Sequence, residues 1–341
     1  MIITGITQKC NFNCLFCLDR QHKHKKDLSF GEIRQLFQKV KSYKEDTVML
    51  MTGESFIRPD FLKILEEAKK CNLKLKVTTN GSMLSYYDFL VKVIKGGVVQ
   101  INFSFHSHIP KVANAISRNK FCHSLQEKAL LNIESFNKDN KKIRERLAIN
   151  FNTVINSLNY KELEGMATHL KKILRHTPFR VKFKFMDLGG NDSTFYKKIL
   201  PPLNKIQPYL LKALKALGGD NPTDKISACG FPLCILSSYE WSSVELKENL
   251  YHNNLYLDSR GINNLRTQND IAKEDFYKYR ECRGCSLCEI CPGVRRDYLK
   301  VYPNFNLTLS DKNPKEILHT LERISIFDSE IKNKHKHKCN Y

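Results

Sequence analysis

The sequence predicts an α/β protein in which a partial (β/α)6 barrel is followed by a small irregular cysteine-rich domain. Short β-branched and aromatic segments alternate with amphipathic segments, and this alternation stops near residue 218. The cysteines cluster at two places in the chain, at 10–17 and between 229 and 291. Alternating β and α units favour a parallel sheet with right-handed crossovers. In such folds the functional residues lie at the carboxyl ends of the strands.

Six βα units follow from hydrophobic periodicity and segment length. The predicted strands lie at 2–6, 47–51, 74–78, 98–105, 147–155 and 180–186. The predicted helices lie near 30–42, 60–71, 83–95, 123–137, 160–175 and 203–217. Six such units either curl into a partial barrel or form an open doubly wound sheet, and we expect the barrel.

Three regions are expected along the chain. Residues 1–217 would form the core, and 218–325 an auxiliary domain that ends in a helix near 314–324. The boundary between them is the run GGDNP at 218–222, which is typical of a linker. Residues 326–341 are basic and poor in apolar residues, so a disordered tail is expected.

The bulk composition narrows the class of protein. A chain of 341 residues with 41% hydrophobic content can bury a sizeable core. No apolar run approaches the roughly 20 residues of a membrane span, and the first residues do not resemble a secretory signal. Without export, 12 cysteines favour metal-binding or catalytic thiols over disulfides. The sequence therefore predicts a cytoplasmic protein with no membrane partner.

The chain is strongly basic, with 56 Lys and Arg against 35 Asp and Glu and a formal net charge of +21. This charge permits an acidic partner such as RNA. However, the basic residues occur along the whole chain, and no arginine-rich stripe with interleaved aromatic residues is present. A solvated basic surface is therefore the simpler interpretation.

A C-x3-C-x2-C loop follows directly after the first predicted strand, formed by Cys10, Cys14 and Cys17. Such a loop brings three thiolates around one metal centre, and thiolate sulfur suits iron–sulfur clusters and zinc. Zinc would require a fourth ligand, for which His22 and His24 are candidates. A four-iron cluster would instead keep one iron open for another ligand. The residues alone leave both metals open.

Because this loop follows a first strand of a βα array, the chain resembles the radical S-adenosylmethionine (SAM) superfamily over roughly residues 1–190. The resemblance implies a [4Fe–4S] cluster on Cys10, Cys14 and Cys17, with SAM bound to the open iron. It also implies reductive cleavage of SAM to a 5′-deoxyadenosyl radical, which abstracts a substrate hydrogen. In this reading the cofactor carries the radical chemistry and the protein positions and shields it.

Further positions match the superfamily pattern. Gly53 and Glu54 resemble its GGE motif, which holds the SAM amino group, although Thr52 replaces the first glycine. From the residues alone, Glu54 is equally an acid at a helix N-terminus, and Asn80-Gly81 a simple turn. The remaining positions that the resemblance implies are Phe16 against the adenine, Ser104 as a polar contact to SAM and Arg118 near the SAM carboxylate. His106 and His108 are read as polar loop residues.

The second group of cysteines has the spacing C-x2-C-x5-C, at Cys282, Cys285 and Cys291. This spacing resembles the SPASM/twitch extensions of radical SAM enzymes, which carry auxiliary clusters. A full SPASM pattern would continue with C-x3-C, but position 295 is Arg, so one auxiliary [4Fe–4S] cluster is expected. The resemblance favours Cys234 over Cys229 as the fourth ligand and leaves Cys288 surplus or as an alternative. A structural zinc site remains the other interpretation.

The sequence thus predicts a radical SAM enzyme whose favoured substrate is a peptide or protein, because SPASM/twitch enzymes include peptide-modifying members. Its electron would come from a low-potential donor such as flavodoxin or ferredoxin. Modification of RNA or of a small molecule is the second hypothesis. A zinc-stapled nucleic-acid-binding protein without catalysis is the third.

Overall fold

The computed structural model describes residues 1–18, 27–139, 147–188, 193–251, 255–257, 265–267, 274–305 and 308–324. The predicted tail at 326–341, together with His22 and His24, lies outside these residues. No helix among the described residues is long and apolar enough to cross a membrane.

One large sheet organises the described part of the chain. Its neighbours run in the order β7-β6-β5-β4-β3-β2-β1-β8-β9. The strands are β1 (Ile2–Thr4), β2 (Thr47–Leu50), β3 (Lys74–Thr79), β4 (Val98–Ser104), β5 (Ile149–Val154), β6 (Phe179–Lys184), β7 (Ile226–Cys229), β8 (Leu255–Leu257) and β9 (Leu265–Thr267). All pairs are parallel except β8 with β9. Because β1 to β7 lie side by side in chain order, the sheet is singly wound in the manner of a barrel.

Helices connect the strands and pack on one face of the sheet. They are α1 (Phe30–Ser42), α2 (Phe61–Lys70), α3 (Tyr87–Lys95), α4 (Pro110–Ser117), α5 (Cys122–Asp139), α6 (Leu163–Ile173), α7 (Ser193–Ile199) and α8 (Leu203–Gly218). Helix α1 begins with a capping box in which Ser29 and Glu32 each accept the other's main-chain N–H. Right-handed crossovers between successive parallel strands place every connecting helix on the same side. The other face of the sheet is therefore left for the functional site.

The alternation of side chains along each strand separates the two faces. Val48, Val77, Phe103, Phe151 and Phe183 are fully buried in the core cluster beneath the helices. The residues between them, on the opposite face, are mainly polar and half-exposed. We call this second face the concave face, because in a singly wound barrel-type sheet the helices cover the outside.

Three strands after residue 217 extend the same sheet. β7 pairs with β6, while β8 pairs with β1 at the other side of the array. Helix α9 (Val244–Tyr251) packs against β7, and Ala228 bridges to Ser243 just before it. The segment at 218–222 separates α8 from β7, but the chain returns to the sheet after it. The domain boundary at 217/218 stays a prediction.

The cysteine-rich segment has its own small scaffold. Strands β10 (Phe276–Tyr277) and β11 (Val294–Arg295) pair antiparallel, and helix α10 (Arg296–Val301) follows directly. A last helical run, at 314–324, lies where it was predicted. The predicted α/β class, the barrel-type winding and the cysteine-rich segment after it are all confirmed.

Candidate active site and second cysteine cavity

The Cys10–Cys17 loop lies at the carboxyl end of β1 and is held by its main chain. The amide of Asn13 donates to the carbonyl of Ser117 at 3.0 Å, and the amide of Leu15 donates to Ile116 at 2.9 Å. Both acceptors are at the end of α4, whose unpaired carbonyls are free to accept such bonds. Arg118 follows immediately, with a left-handed φ of 52°. The fold thus places Arg118 beside the cysteine loop.

The three thiols of this loop interact electrostatically. Burial raises the pKa of Cys10 to about 11, and Glu54 and Cys17 also raise it. Burial likewise raises the pKa of Cys14, and the neighbouring Cys10 and Cys17 add to that effect. Yet no group of three His, Cys, Asp or Glu side chains among the described residues is placed to hold a single metal ion. Three thiols on one loop match the number of protein ligands that a four-iron cluster needs when one iron is left open.

Gly53 brings the end of β2 against the same loop. Its φ is 58°, and a Cβ at this position would lie 2.7 Å from the carbonyl oxygen of Lys9. The next amide, of Glu54, donates to that oxygen at 2.8 Å. Only glycine combines the positive φ with so close an approach. Gly53 therefore fixes the distance between the turn after β2 and Cys10.

The Glu54 carboxylate is fully buried and holds the ends of β2 and β3 together. It accepts from the Thr79 hydroxyl at 2.8 Å, the Asn80 amide at 2.6 Å and the Phe56 amide at 3.2 Å. Burial nevertheless raises its pKa to about 7. Glu54 is thus the N-cap of the short helix at Ser55–Ile57, as one reading of the sequence proposed. Its contact to SAM stays a prediction.

Asn80 is a site residue that the sequence did not distinguish from a turn residue. Its side-chain amide lies 3.6 Å from Cys10 Sγ and donates to Asn11 at 2.8 Å. Its main-chain amide donates to Glu54. The following Gly81 has φ 82°, so the segment is both a turn and a neighbour of the cysteine loop. Asn-Gly alone signals only the turn.

Thr52, which departs from the GGE pattern, is accommodated by Gly5 on β1's extension. A Cβ at Gly5 would lie 1.6 Å from Thr52 Oγ1, whose hydroxyl donates to the Thr7 carbonyl at 2.9 Å. The Thr52 side chain therefore occupies the space that Gly5, which has no side chain, leaves beside it.

We expect Gly5→Ala to lower the free energy of unfolding by about 1–3 kcal/mol, because its Cβ overlaps Thr52. The double variant Gly5→Ala/Thr52→Gly should recover most of that loss, since it removes the overlapping hydroxyl. Urea unfolding of the four proteins in the cycle measures the coupling. Equal stability of Gly5→Ala and wild type would contradict the overlap.

Phe16 and Ser104 lie at the carboxyl end of β4. The Phe16 ring meets the His106 ring edge to face, with centroids 4.9 Å apart. The Ser104 carbonyl accepts from Gln126, which also donates to the Asn80 carbonyl, both at 2.9 Å. Gln126 is buried on α5 and ties the ends of β3 and β4. Gln126 carries no recognisable signal in the sequence, and the sequence marks His106 only as a polar loop residue.

His106 gives the stability of the chain a pH dependence. It is buried, its Nδ1 accepts from the Val154 amide at 3.2 Å, and burial lowers its pKa to about 4. The unfolded chain binds this proton near pH 6.5, so the free energy of unfolding falls as pH drops from about 6.5 to 4.

Between pH 7 and pH 4.5, wild type should lose about 2 kcal/mol more than His106→Asn, which does not titrate. Glu54 has the opposite effect, because its raised pKa lowers the free energy of unfolding as pH rises. Both proteins contain Glu54, so its contribution cancels in the comparison. Urea unfolding at the two pH values measures the difference. Parallel pH profiles would refute a buried neutral His106.

Five cysteines line a second, separate cavity in the C-terminal segment: Cys234, Cys282, Cys285, Cys288 and Cys291. Main-chain amides point at its sulfurs. Leu233 and Gly293 donate to Cys291 Sγ, and Ser310 donates to Cys285 Sγ, each at 3.4 Å. Burial has the largest effect in raising the pKa of Cys234, and the thiols of Cys291, Cys285 and Cys282 raise it further. Sulfurs grouped in this way and met by amide donors fit an iron–sulfur cluster.

Arg295, at the position where a further cysteine would stand, is a buried ion-pair centre. It lies 3.0 Å from Asp187, 3.2 Å from Asp297 and 3.5 Å from Asp275. Its exposed fraction is only 8%. This position therefore joins β11 to the segments around it and offers no sulfur for a second auxiliary cluster.

Cys229 is not part of the second cavity. It ends β7, and its thiol donates to Glu245 of α9 at 3.3 Å. Glu245 also accepts from the Gly230 amide at 2.7 Å. The structure thus places Cys234, but not Cys229, with the C-terminal cysteines.

Comparison with known proteins agrees with this architecture. The model of the radical SAM superfamily matches residues 4–169. This range holds the Cys10–Cys17 loop, the Gly53 turn, Ser104 and Arg118. The chain therefore carries a radical SAM domain in this range, and its class is that of radical SAM enzymes.

A sequence relative and two solved structures specify this further. A probable GTP 3′,8-cyclase of Thermococcus kodakarensis is 32% identical over 115 residues, which are 33% of this chain and 37% of that protein. Streptococcus suis SuiB bound to its precursor peptide SuiA superposes with a TM-score of 0.57 at 14% identity, over 88% of this chain and 72% of SuiB. Native anSMEcpe with bound AdoMet and a peptide gives 0.58 at 13% identity, over 98% and 99%. At these identities the two structures show the shared fold.

The cofactors of these enzymes fit the residues described. Radical SAM enzymes use SAM and a [4Fe–4S] cluster, and three thiols stand at the carboxyl end of β1 where the superfamily model matches. The second cavity offers five thiols and amide donors for an auxiliary cluster. A zinc-stapled binding protein does not explain the superfamily match.

Proposed function

We propose that this protein cleaves SAM reductively and uses the resulting radical to abstract a hydrogen atom from a substrate bound on the concave face of the sheet. The observation that carries this proposal is the Cys10–Cys17 loop, fixed from three sides by the turn after β2, by Asn80 and by the end of α4. The bound cluster would supply the electron that breaks the SAM sulfonium. The protein supplies the position and the shielding.

The chain's own residues would hold SAM and the first cluster. We propose Cys10, Cys14 and Cys17 as cluster ligands and Phe16 as the aromatic contact to the adenine, with its ring fixed by His106. Ser104 and Arg118 are the proposed polar contacts to SAM, since both stand at the same end of the sheet. Gly53 and Glu54 are the proposed contact to the SAM amino group, on a turn held by the bonds of Glu54 to Thr79, Asn80 and Phe56.

The auxiliary [4Fe–4S] cluster is proposed on Cys234, Cys282, Cys285 and Cys291. The mutual influence of these four thiols supports this set over one that includes Cys229. Cys288 lines the same cavity and is the alternative ligand. A cluster with four thiolates has no open iron, so its role would be to transfer electrons. The low-potential donor would be a flavodoxin or ferredoxin in the cytoplasm, where the cysteines stay reduced.

The substrate is proposed to be a peptide or protein, in line with the peptide complexes of SuiB and anSMEcpe, which share the fold. A nucleotide is the second candidate, because the Thermococcus relative is named for an activity on GTP. The net charge of +21 permits RNA without selecting it.

Anaerobic reconstitution followed by metal analysis tests the proposal. About eight irons per chain are expected, with 5′-deoxyadenosine formed after reduction in the presence of SAM. About four irons and one zinc would make the C-terminal site structural. Zinc alone, with no cleavage of SAM, would overturn the proposal.

A further inference from the structure

The concave face of the sheet carries two lysines at consecutive inward positions of β6. Val181 and Phe183 are fully buried beneath the helices, so Lys182 and Lys184, which alternate with them, project from the opposite face. Residues two apart on a strand are separated by about 6.6 Å. Two lysine side chains therefore project from neighbouring positions of the proposed substrate-binding face.

The register places polar partners on both sides of these lysines. Lys182 aligns with Asn152 of β5 and with Ser227 of β7, and Asn152 aligns in turn with Ser104 of β4. Aligned residues of parallel strands share a face. The lysines therefore continue a row that begins at Ser104, a proposed contact to SAM.

The pKa of Cys229 shows that the charges of Lys182 and Lys184 act on this face of the sheet. Burial raises the pKa of the Cys229 thiol and Glu245 raises it further, whereas Lys184 and Lys182 act in the opposite direction. Lys184 aligns with Cys229 in the sheet. The Glu245 carboxylate accepts from Cys229, Gly230 and Ser243, so it is held on the β7 side.

The charge on the strands themselves has one sign. Strands β1 to β7 contain Lys74, Lys76, Arg180, Lys182 and Lys184, and no Asp or Glu. The carboxylates that act on Cys229 are those of Glu245 and Glu248 on α9. An anionic group on the β5–β6 side would meet ammonium, amide and hydroxyl groups.

We propose that Lys182 and Lys184, with Asn152 beside them, bind the phosphate groups of the substrate. Lysine binds phosphate as a point charge, whereas carboxylates are matched by the planar fork of arginine. Two ammonium groups along one strand suit linked phosphates. This inference rests on the proposed function. Of the two candidate substrates given there, it favours the second, a nucleotide, over a peptide.

Calorimetric titration of the anaerobically reconstituted full chain with inorganic pyrophosphate tests this site. Wild type should bind one pyrophosphate per chain, and Lys182→Met/Lys184→Met should raise the Kd at least tenfold. The matched control is Lys205→Met/Lys212→Met, which removes the same charge from exposed positions on α8 and should change the Kd less than twofold. Equal iron content in all three proteins would show that each is folded.

Three results would overturn the phosphate site. They are no saturable binding to wild type, an equal loss of affinity in the control, or tighter binding of tricarballylate, a tricarboxylate probe, than of pyrophosphate. The last result would return the substrate to an acidic peptide. Cleavage of SAM by wild type is measured separately. Pyrophosphate binding without SAM cleavage would refute the proposed function and keep the site, and cleavage without pyrophosphate binding would do the reverse.

Discussion

Replacing Cys14 with alanine is expected to abolish formation of 5′-deoxyadenosine and to lower the iron content from about eight to about four per chain. Cys14 lies between Cys10 and Cys17 in the loop, and both of their thiols influence its own. Two remaining cysteines would leave two irons without protein ligands. The loop itself should persist, because its main chain is bonded to Ile116 and Ser117 independently of any thiol.

Cys71→Ala is the matched control for this experiment. Cys71 is a half-buried thiol at the end of α2, outside both cysteine groups. Its replacement should leave iron content and SAM cleavage as in wild type. Full activity of Cys14→Ala would exclude the N-terminal loop as the site of the chemistry, and loss of activity in both variants would point to general instability.

Replacing Cys234 with alanine is expected to remove the auxiliary cluster alone. The iron content should fall from about eight to about four per chain, while 5′-deoxyadenosine still forms from SAM. Cys234 lies on the segment after β7 and lines the same cavity as Cys282, Cys285 and Cys291. A substrate-dependent oxidation would be lost, because its electron would have no acceptor.

Cys229→Ala separates the two candidate fourth ligands. Cys229 lies five residues before Cys234, and its thiol donates to Glu245 of α9 instead of lining the second cavity. Its replacement should leave eight irons in place. Should Cys229→Ala lose four irons and Cys234→Ala none, the ligand assignment is reversed. Should both variants retain all their iron, Cys288 acts as the fourth ligand.

The first six strands and their helices could be predicted from the sequence because their signals are local. In β6 the period of two is clear, with Val181 and Phe183 buried and lysines between them. Helix α1 is marked by Ser29 and Glu32, which form its capping box. Helix α4 was missed, since its eight residues, beginning at Pro110, carry a short apolar pattern within a loop.

The strands after residue 217 could not be predicted, because their partners are distant in the chain. Leu255 pairs with Ile2 across most of the sequence, and β8 is only three residues long. Strand propensity depends on the partner strand more than on the residues themselves. A cysteine-rich, glycine-punctuated segment therefore appeared irregular although part of it belongs to the main sheet.

The cysteines of the candidate site could be predicted from the sequence, but the residues that hold the cysteine loop in place could not. Fixed spacing identifies Cys10, Cys14 and Cys17 without any structure. Asn80, Gln126 and His106 act through distances to other strands, which no local pattern contains. Gly5 belongs with them, because its role becomes visible only once Thr52 lies against it.

Helix α9 has a consequence for how such a protein diversifies. It packs on β7, yet the carboxylates of Glu245 and Glu248, like the Cys229 thiol, also act on Tyr256 of β8, where burial already raises the pKa. One helix thus borders the concave face between two strands that do not pair with each other. Substitutions on α9 can therefore change the charge at this edge of the face without breaking a hydrogen bond of the sheet. For a substrate bound on this face as proposed, such substitutions would alter substrate preference and leave the cysteine loop unchanged.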